Sequence, residues 1–149
     1  MKAEQLWERF CRKTGMDMDT PYEAWAFGGA PDQLADLVLR GIKTATASGY
    51  DLYFLEGETE PLPAVGDYSV VLNSKDEALC VIQTTAVNVV PFDEVGSAHA
   101  YKEGEGNRSL AYWRKVHEDF FEKDYESCHA KFTLKSKILC EEFKVVYKA

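Results

Sequence analysis

Residues 30–46 read Ala30-Pro31-Asp32-Gln33-Leu34-Ala35-Asp36-Leu37-Val38-Leu39-Arg40-Gly41-Ile42-Lys43-Thr44-Ala45-Thr46, and they join a helix signal directly to a strand signal. An early proline, an acidic first turn and a glycine just after the last apolar position predict a short helix that ends at Gly41. From Lys43 to Ser48 the chain is expected to be extended, leaving the helix end as a short strand.

Further helix and strand signals flank this junction on both sides. Two more helices are predicted, over about residues 3–14 and, with Ser109 as its N-cap, from Leu110 to about Lys123. The predicted strands are 68–72, 78–90, 131–138 and 143–147. Residues 16–29 are expected to be irregular. Strands that pair in neighbouring hairpins, with helices between them, predict an α+β fold with a small curved sheet or barrel.

Length and charge limit the classes of function. A chain of 149 residues is the usual size of one domain, so residues 1–149 are treated as one unit. It contains no apolar run of the ~20 residues that cross a bilayer, and residues 1–7 lack the apolar core of a secretory signal. We therefore expect a cytoplasmic protein without a membrane partner. The net charge of −8 argues against non-specific binding of long nucleic acid, but it is compatible with a nucleoside or short RNA in a local pocket.

The cysteines give no sign of a disulfide framework or a metal site. Cys11, Cys80, Cys128 and Cys140 are scattered, and none of them forms a Cys-x-x-Cys pair. The nearest approach to a ligand pair is Cys128 with His129, whose side chains point in different directions on a helix or strand. We expect reduced, mostly buried thiols, no metal and no cofactor, and the sequence specifies no oligomeric state.

Lys43, Thr44 and Thr46 form the first candidate site. A lysine whose pKa is lowered by burial can act as a base, and a neighbouring hydroxyl then becomes a usable nucleophile. A turn at the helix exit would bring Lys43 and Thr46 to one cavity. The alternative is structural: Lys43 starts a strand in solvent and the threonines are ordinary strand residues. Spacing alone favours that alternative.

Two further groups could carry chemistry. The segment from Glu103 to Arg108 places two carboxylates, Glu103 and Glu105, on a glycine-flexed loop, where they could act as general acid or base or position a lysine. On the last helix, Trp113 and His117 lie four residues apart and could stack a nucleobase. An exposed acidic loop and a helix core are the respective structural interpretations.

Together these segments resemble the ASCH domain family, whose members share a PUA-like β-barrel fold. The resemblance rests on segments that keep their order over about residues 25–148, with the helix of residues 3–14 as an addition. They are Gly41-x-Lys43-Thr44-x-Thr46, the loop 63–67, the strand segment 80–85, Pro91-Phe92-x-x-Val95, Ala100-x-x-Glu103-Gly104, Ser109-Leu110-x-x-Trp113 and His117-x-x-Phe120-Phe121.

The resemblance implies a pocket for RNA or a modified nucleoside. Some members are amidohydrolases that deacetylate acetylcytidine with a lysine, a threonine and a glutamate, and these match Lys43, Thr46 and Glu103. On that analogy Lys43 activates the Thr46 hydroxyl and Glu103 orients or protonates. The alternatives are a non-catalytic RNA-binding module and a ribonuclease. The residues predicted to contact the ligand are Thr44, Ser48, Glu105, Arg108 and Trp113. The family motif often has arginine where Ser48 stands, and serine supplies neither its charge nor its fork.

Overall fold

The computed structural model describes residues 1–149 and contains four α-helices and one mixed five-stranded sheet. The helices are α1 (Ala3–Thr14), α2 (Pro31–Leu39), α3 (Ser97–Glu103) and α4 (Leu110–Ser127). The strands are β1 (Glu23–Ala26), β2 (Ala45–Gly49), β3 (Tyr68–Leu72), β4 (Ala78–Pro91) and β5 (Lys137–Lys148). Short 3₁₀ turns cover Tyr50–Phe54 and Phe92–Glu94. No helix is both long and apolar enough to span a bilayer.

The sheet is curled but not closed. Its strand order is β1-β3-β4-β5-β2, with β1 parallel to β3 and every other pair antiparallel. The long β4–β5 ladder shifts register between Val81 and Ile82 and between Thr84 and Ala86. Such irregularities bend strands and increase their twist. The edge strands β1 and β2 do not pair with each other, so the sheet forms a half-barrel. The predicted α+β class with a PUA-like curved sheet is confirmed.

Helices pack on both faces of this sheet. The apolar face of α1 lies on β3 and β4 through Leu6 and Phe10. The helix α2 buries Ala35 and Val38 against a group of side chains that includes Phe143 of β5. The helix α4 buries a third set, formed by Trp113, Phe121 and Tyr125 with Phe92, Val95, Ala100, Ile138 and Cys140.

The C-terminal strand prediction was wrong in its boundaries. Residues 131–136 lie outside any strand and turn over positions 134–136, and a single strand, β5, runs without a break from Lys137. The turn is closed by Ser136, whose amide donates to the Thr133 carbonyl and whose hydroxyl accepts from the Thr133 amide. Phe132, which supplied part of the strand-like alternation, packs against Phe92 and Phe121 instead of a neighbouring strand.

Two elements were absent from the sequence prediction. Residues 23–26, expected to be irregular, form β1 because they pair with β3. The segment before Gly104 is helical, so Glu103 is the last residue of α3 and not part of a flexible loop. Helix α4 also extends four residues beyond Lys123, since Tyr125 continues its buried face.

Candidate active site

The end of α2 delivers Lys43 to the interior. Gly41 takes a left-handed conformation with φ of 75°, and the amides of Ile42 and Lys43 both donate to the Leu37 carbonyl. This turn ends the helix and reverses the chain. The Thr44 amide then donates to the Lys102 carbonyl at 2.7 Å. Lys43 is therefore fixed between the end of α2 and the end of α3.

The ammonium of Lys43 lies between two carboxylates. Its Nζ donates to Glu103 Oε1 at 3.0 Å and to Glu105 Oε2 at 3.2 Å. Only 1% of each side chain is exposed for Lys43 and Glu103, against 17% for Glu105. Removing charges from water is costly, and such pairs persist where partners and further hydrogen bonds compensate. Buried charges of this kind concentrate at functional sites.

Four nitrogen atoms surround the Glu103 carboxylate. Oε1 faces the Lys43 ammonium and lies 3.6 Å from His117 Nε2. Oε2 accepts from Trp113 Nε1 at 2.6 Å and lies 2.8 Å from His99 Nε2. Burial raises the pKa of Glu103, but the charge of Lys43 and the contacts with His117 and His99 outweigh burial and hold the pKa well below its ordinary value. Glu103 is therefore an anion that positions Lys43, and it is poorly suited to donate a proton.

His117 is oriented by its own helix. Its Nδ1 lies 2.9 Å from the Trp113 carbonyl oxygen, which can only accept, so Nδ1 carries a proton and Nε2 faces Glu103. The ring stacks on Trp113 with centroids 4.2 Å apart. Burial lowers the pKa of His117, while the hydrogen bond and charge of Glu103 and the charge of Glu105 raise it more, and the net direction is upward.

This network forms one wall of a cavity of about 340 Å³ between α2, β2 and α4. Lys43, Thr46 and Glu103 all line it, so the three residues predicted to be catalytic share one cavity. Glu105 and His117 complete the polar wall. Apart from Gln33, the remaining side chains are mainly apolar and aromatic, among them Leu34, Leu37, Tyr112, Val116 and Phe120.

A second cavity, of about 430 Å³, adjoins the first at the seam between β1 and β2. The two share Phe27, Gly28, Thr46, Ala47 and Phe120. The walls of the second cavity come from the inner face of the sheet and from the loop after the Tyr50–Phe54 turn. The cavities therefore form one divided cleft with Thr46 at the boundary.

The structure gives three of the predicted ligand-contacting residues other tasks. Thr44 Oγ1 donates to the Lys102 carbonyl, and Thr44 lies outside both cavities. Arg108 lies over the Tyr101 ring and donates to the carbonyls of Tyr101 and Ile42, which fastens the loop after α3 to the chain before Lys43. Trp113 is buried outside both cavities, and it supports the site through its bond to Glu103 and its stacking with His117. Their contact with a ligand stays a prediction.

The other two line the cleft. Glu105 lies in the first cavity, and Ser48 lies in the second, where its hydroxyl hydrogen-bonds with Tyr53. Ser48 supplies no charge to the cleft.

The contacts of two histidines with Glu103, and one carboxylate of the cleft, were not predicted from the sequence. His99 was given no role, and His117 was considered only as a stacking surface beside Trp113, yet both adjoin Glu103. His99 stands four residues before Glu103, a spacing that would have been informative had α3 been predicted. Glu141, paired with Thr84 across the sheet, carried no local signal at all.

Glu103, Glu105 and His117 also offer three potential metal-ligand atoms within 4.8 Å of one another. In this structure the Lys43 ammonium contacts both carboxylates and supplies the positive charge. A metal ion would have to displace that ammonium from between them.

The sequence matches the family model described as ASCH domain over residues 23–147. The chain therefore belongs to the ASCH domain family. Protein EF3133 from Enterococcus faecalis V583 is 33% identical and superposes with a TM-score of 0.86, covering 97% of this chain and 88% of that one. An ASCH domain from Lactobacillus crispatus JV V101 is 29% identical, with a TM-score of 0.82 and coverage of 96% and 95%.

A more distant structure, a mutant of ZmASCH from Zymomonas mobilis, shares the fold alone, at 13% identity and a TM-score of 0.50, with 83% of this chain and 67% of that one covered. A search of curated proteins finds no match.

Proposed function

We propose that this protein is a small hydrolase that cleaves an amide bond on a modified nucleoside, with acetylcytidine as the first substrate to test. The observation that carries the proposal is the Lys43 ammonium, buried between Glu103 and Glu105 in the wall of a cavity that Thr46 also lines. A protein that needed only stability could replace the whole ion-paired set, Lys43 together with its carboxylate partners, by well-packed apolar side chains at no loss. The cavity volume is within the range of small-molecule sites.

The charges of the side chains suggest which catalytic role each residue takes. An ammonium has no lone pair, so Lys43 in its ion-paired form donates hydrogen bonds and can stabilise the oxygen of an attacked carbonyl. The Thr46 hydroxyl is the nucleophile, and its proton passes to Glu105, a cavity-lining carboxylate that is more exposed than Glu103. Collapse of the tetrahedral intermediate breaks the C–N bond, and Glu105 returns the proton to the leaving nitrogen. Water then hydrolyses the threonine ester.

The other assignment, in which neutral Lys43 itself takes the Thr46 proton, stays open to the same experiment. Arginine keeps the positive charge but cannot act as a base. Partial activity in Lys43→Arg would favour stabilisation of the carbonyl oxygen, whereas activity as low as in Lys43→Met would favour the base.

The test is acetate release from acetylcytidine by the purified protein. We expect turnover by the wild type and a loss of at least about a hundredfold in Lys43→Met and in Thr46→Val, as removal of a transition-state donor or nucleophile costs. Lys102→Met is the matched control, because Lys102 pairs with Glu142 at the surface. Absence of turnover in the wild type, or equal turnover in wild type and Lys43→Met, would overturn the proposal.

Proteins of this family are generally thought to bind RNA. The cleft itself offers little for phosphates: Lys43 is the sole lysine or arginine that lines either cavity, and it already binds two carboxylates. An RNA-binding module would show affinity for short RNA that falls steeply with salt, and a ribonuclease would degrade labelled RNA in a manner abolished by Lys43→Met.

A further inference from the structure

The second cavity has a charge pattern opposite to that of a phosphate site. Five carboxylates line it, those of Glu23, Glu60, Asp67, Asp124 and Glu141, and no lysine, arginine or histidine does. Aromatic side chains form part of the same walls, namely Trp25, Phe27, Tyr53 and Phe120. Aromatic faces and carboxylates together suit a flat ring that carries hydrogen-bond donors.

Glu141 is the most informative member of this set. It lies on β5 inside the half-barrel with 8% of its surface exposed. Its Oε2 accepts from Thr84 Oγ1 at 2.6 Å, while Oε1 accepts no hydrogen bond from the protein. Oε1 is not among the fully buried unpaired atoms, so it is open to the cavity that Glu141 lines and is free to accept a hydrogen bond from a ligand there. Thr84, itself buried, uses its only hydroxyl proton to hold Glu141 in this orientation.

Glu141 also adjoins the proposed nucleophile. In the antiparallel β2–β5 pair, Thr46 is directly opposite Glu141. Residues opposite each other place their side chains on the same face of the sheet, and both line the second cavity. A nitrogen atom that donates to Glu141 Oε1 is therefore held beside the Thr46 hydroxyl.

We propose that the second cavity binds the nucleobase half of the substrate, that Glu141 Oε1 accepts an N–H from the base's exocyclic amino nitrogen, and that the substrate carries no phosphate. This inference rests on the proposed function, because the nitrogen that Glu141 reads is the one that bears the acyl group. The acyl group then extends past Thr46 into the first cavity, toward Lys43. Cytosine presents an amino donor at this edge and uracil presents an acceptor oxygen, which a carboxylate rejects.

The test measures binding of unacylated nucleosides, so that it does not depend on turnover. Cytidine, uridine and cytidine 5′-monophosphate are titrated into the wild type by calorimetry at low salt. We expect cytidine to bind at least about tenfold more tightly than uridine, as a hydrogen bond to a charged group allows. The phosphate ester is expected to bind at least about tenfold more weakly than cytidine, with a difference that shrinks as salt is added.

Glu141→Gln keeps the shape and a partner for Thr84 but removes the charge, and it should abolish the preference for cytidine over uridine. Glu142→Gln is the matched control, because the neighbouring carboxylate points the other way and pairs with Lys102. Thr84→Val is a second variant that releases Glu141 from its orientation, and it should weaken the same preference. Thermal melts establish that each variant is folded before it is titrated.

The outcomes separate the two proposals. Cytidine discrimination that depends on Glu141, without acetate release from acetylcytidine, would leave this inference standing and refute the hydrolase. Acetate release with no effect of Glu141→Gln on nucleoside binding would do the reverse. Equal affinities for cytidine and uridine, a phosphate ester that binds as tightly as cytidine, or no cytidine binding at millimolar concentration would each overturn the inference.

Discussion

Replacing Lys43 by methionine removes the ammonium from between Glu103 and Glu105 while leaving a side chain of similar length. Glu103 keeps its contacts with Trp113 and His99 but loses its charged partner at 3.0 Å, with only 1% of its side chain exposed. Removing one partner of a buried ion pair costs about 3–5 kcal/mol of stability. Because Trp113 and His99 still contact Glu103, we expect Lys43→Met to cost about 3 kcal/mol. For a chain of this size that corresponds to a fall in Tm of about 6–12 °C.

The assay is urea unfolding at neutral pH, supported by thermal melts, on Lys43→Met, Glu103→Gln and the double variant. Glu103→Gln should cost less than Lys43→Met, because Lys43 retains Glu105 at 3.2 Å. The double variant should be more stable than the sum of the two single effects predicts, since it leaves no uncompensated carboxylate at Glu103.

Lys102→Met is again the control. Its ammonium lies 2.8 Å from Glu142, but the two side chains are 46% and 34% exposed. A surface pair of this kind contributes about 0–1 kcal/mol. A Lys43→Met variant that loses no more stability than Lys102→Met, or a double variant with strictly additive losses, would contradict the predicted coupling of Lys43 and Glu103.

Three further changes test the electrostatics and the backbone around the cleft. Burial lowers the pKa of His117, but the site carboxylates outweigh burial and raise the pKa above its ordinary value of 6.5. Protonated His117 therefore stabilises the folded state fully below about pH 6.5, and this stabilisation is lost as pH rises through the folded-state pKa. His117→Gln should therefore lower Tm more at about pH 5.5 than at about pH 8.5. Burial raises the pKa of Glu141, so its charged form costs stability at neutral pH; Glu141→Gln should raise Tm there, and the gain should shrink as pH falls toward the ordinary value of 4.5. In Gly104→Ala the new Cβ would lie 2.6 Å from the Ile42 carbonyl oxygen, at a position with a φ of 75°. This variant should lose more stability than Gly29→Ala, where φ is 82° but the space is open. Equal losses of Tm in the two variants would contradict this prediction.

The parts of the fold that the sequence predicted are those with local causes. Pro31 opens α2 at its first turn, and Gly41 follows its end in the left-handed conformation that glycine favours. Ser109 Oγ accepts from the Tyr112 amide, as an N-cap does. Each of these signals involves residues within a few positions of one another, so it can be recognised in the sequence without knowledge of the fold.

The parts that were missed depend on distant partners. Residues 23–26 become a strand only because residues 69–72, far along the chain, lie beside them. The pair of Thr84 and Glu141 joins two strands 57 residues apart, and neither residue is unusual in its own segment. Lys43 and Glu103 are separated by 60 residues, and it was family resemblance, not spacing, that connected them. No local period encodes such pairings.

The charged side chains of the cleft lie on either side of the position where the proposed reaction would break an amide bond. In hydrolysis of an amide, negative charge develops on the carbonyl oxygen, and the nitrogen leaves after it has gained a proton. The first cavity holds the Lys43 ammonium between Glu103 and Glu105, five carboxylates line the second cavity, and Thr46 lies at their boundary. In the proposed reaction Lys43 would stabilise the carbonyl oxygen on one side, while on the other Glu141 would accept the N–H of the departing nitrogen, which gains its further proton from Glu105. This arrangement of charges also explains how a protein of net charge −8 could serve the proposed chemistry. The carboxylates that line the cleft repel phosphates, whereas an uncharged nucleoside can enter. Under this proposal the site requires the open seam between β1 and β2, because a closed barrel would leave no room there for the proposed nucleobase.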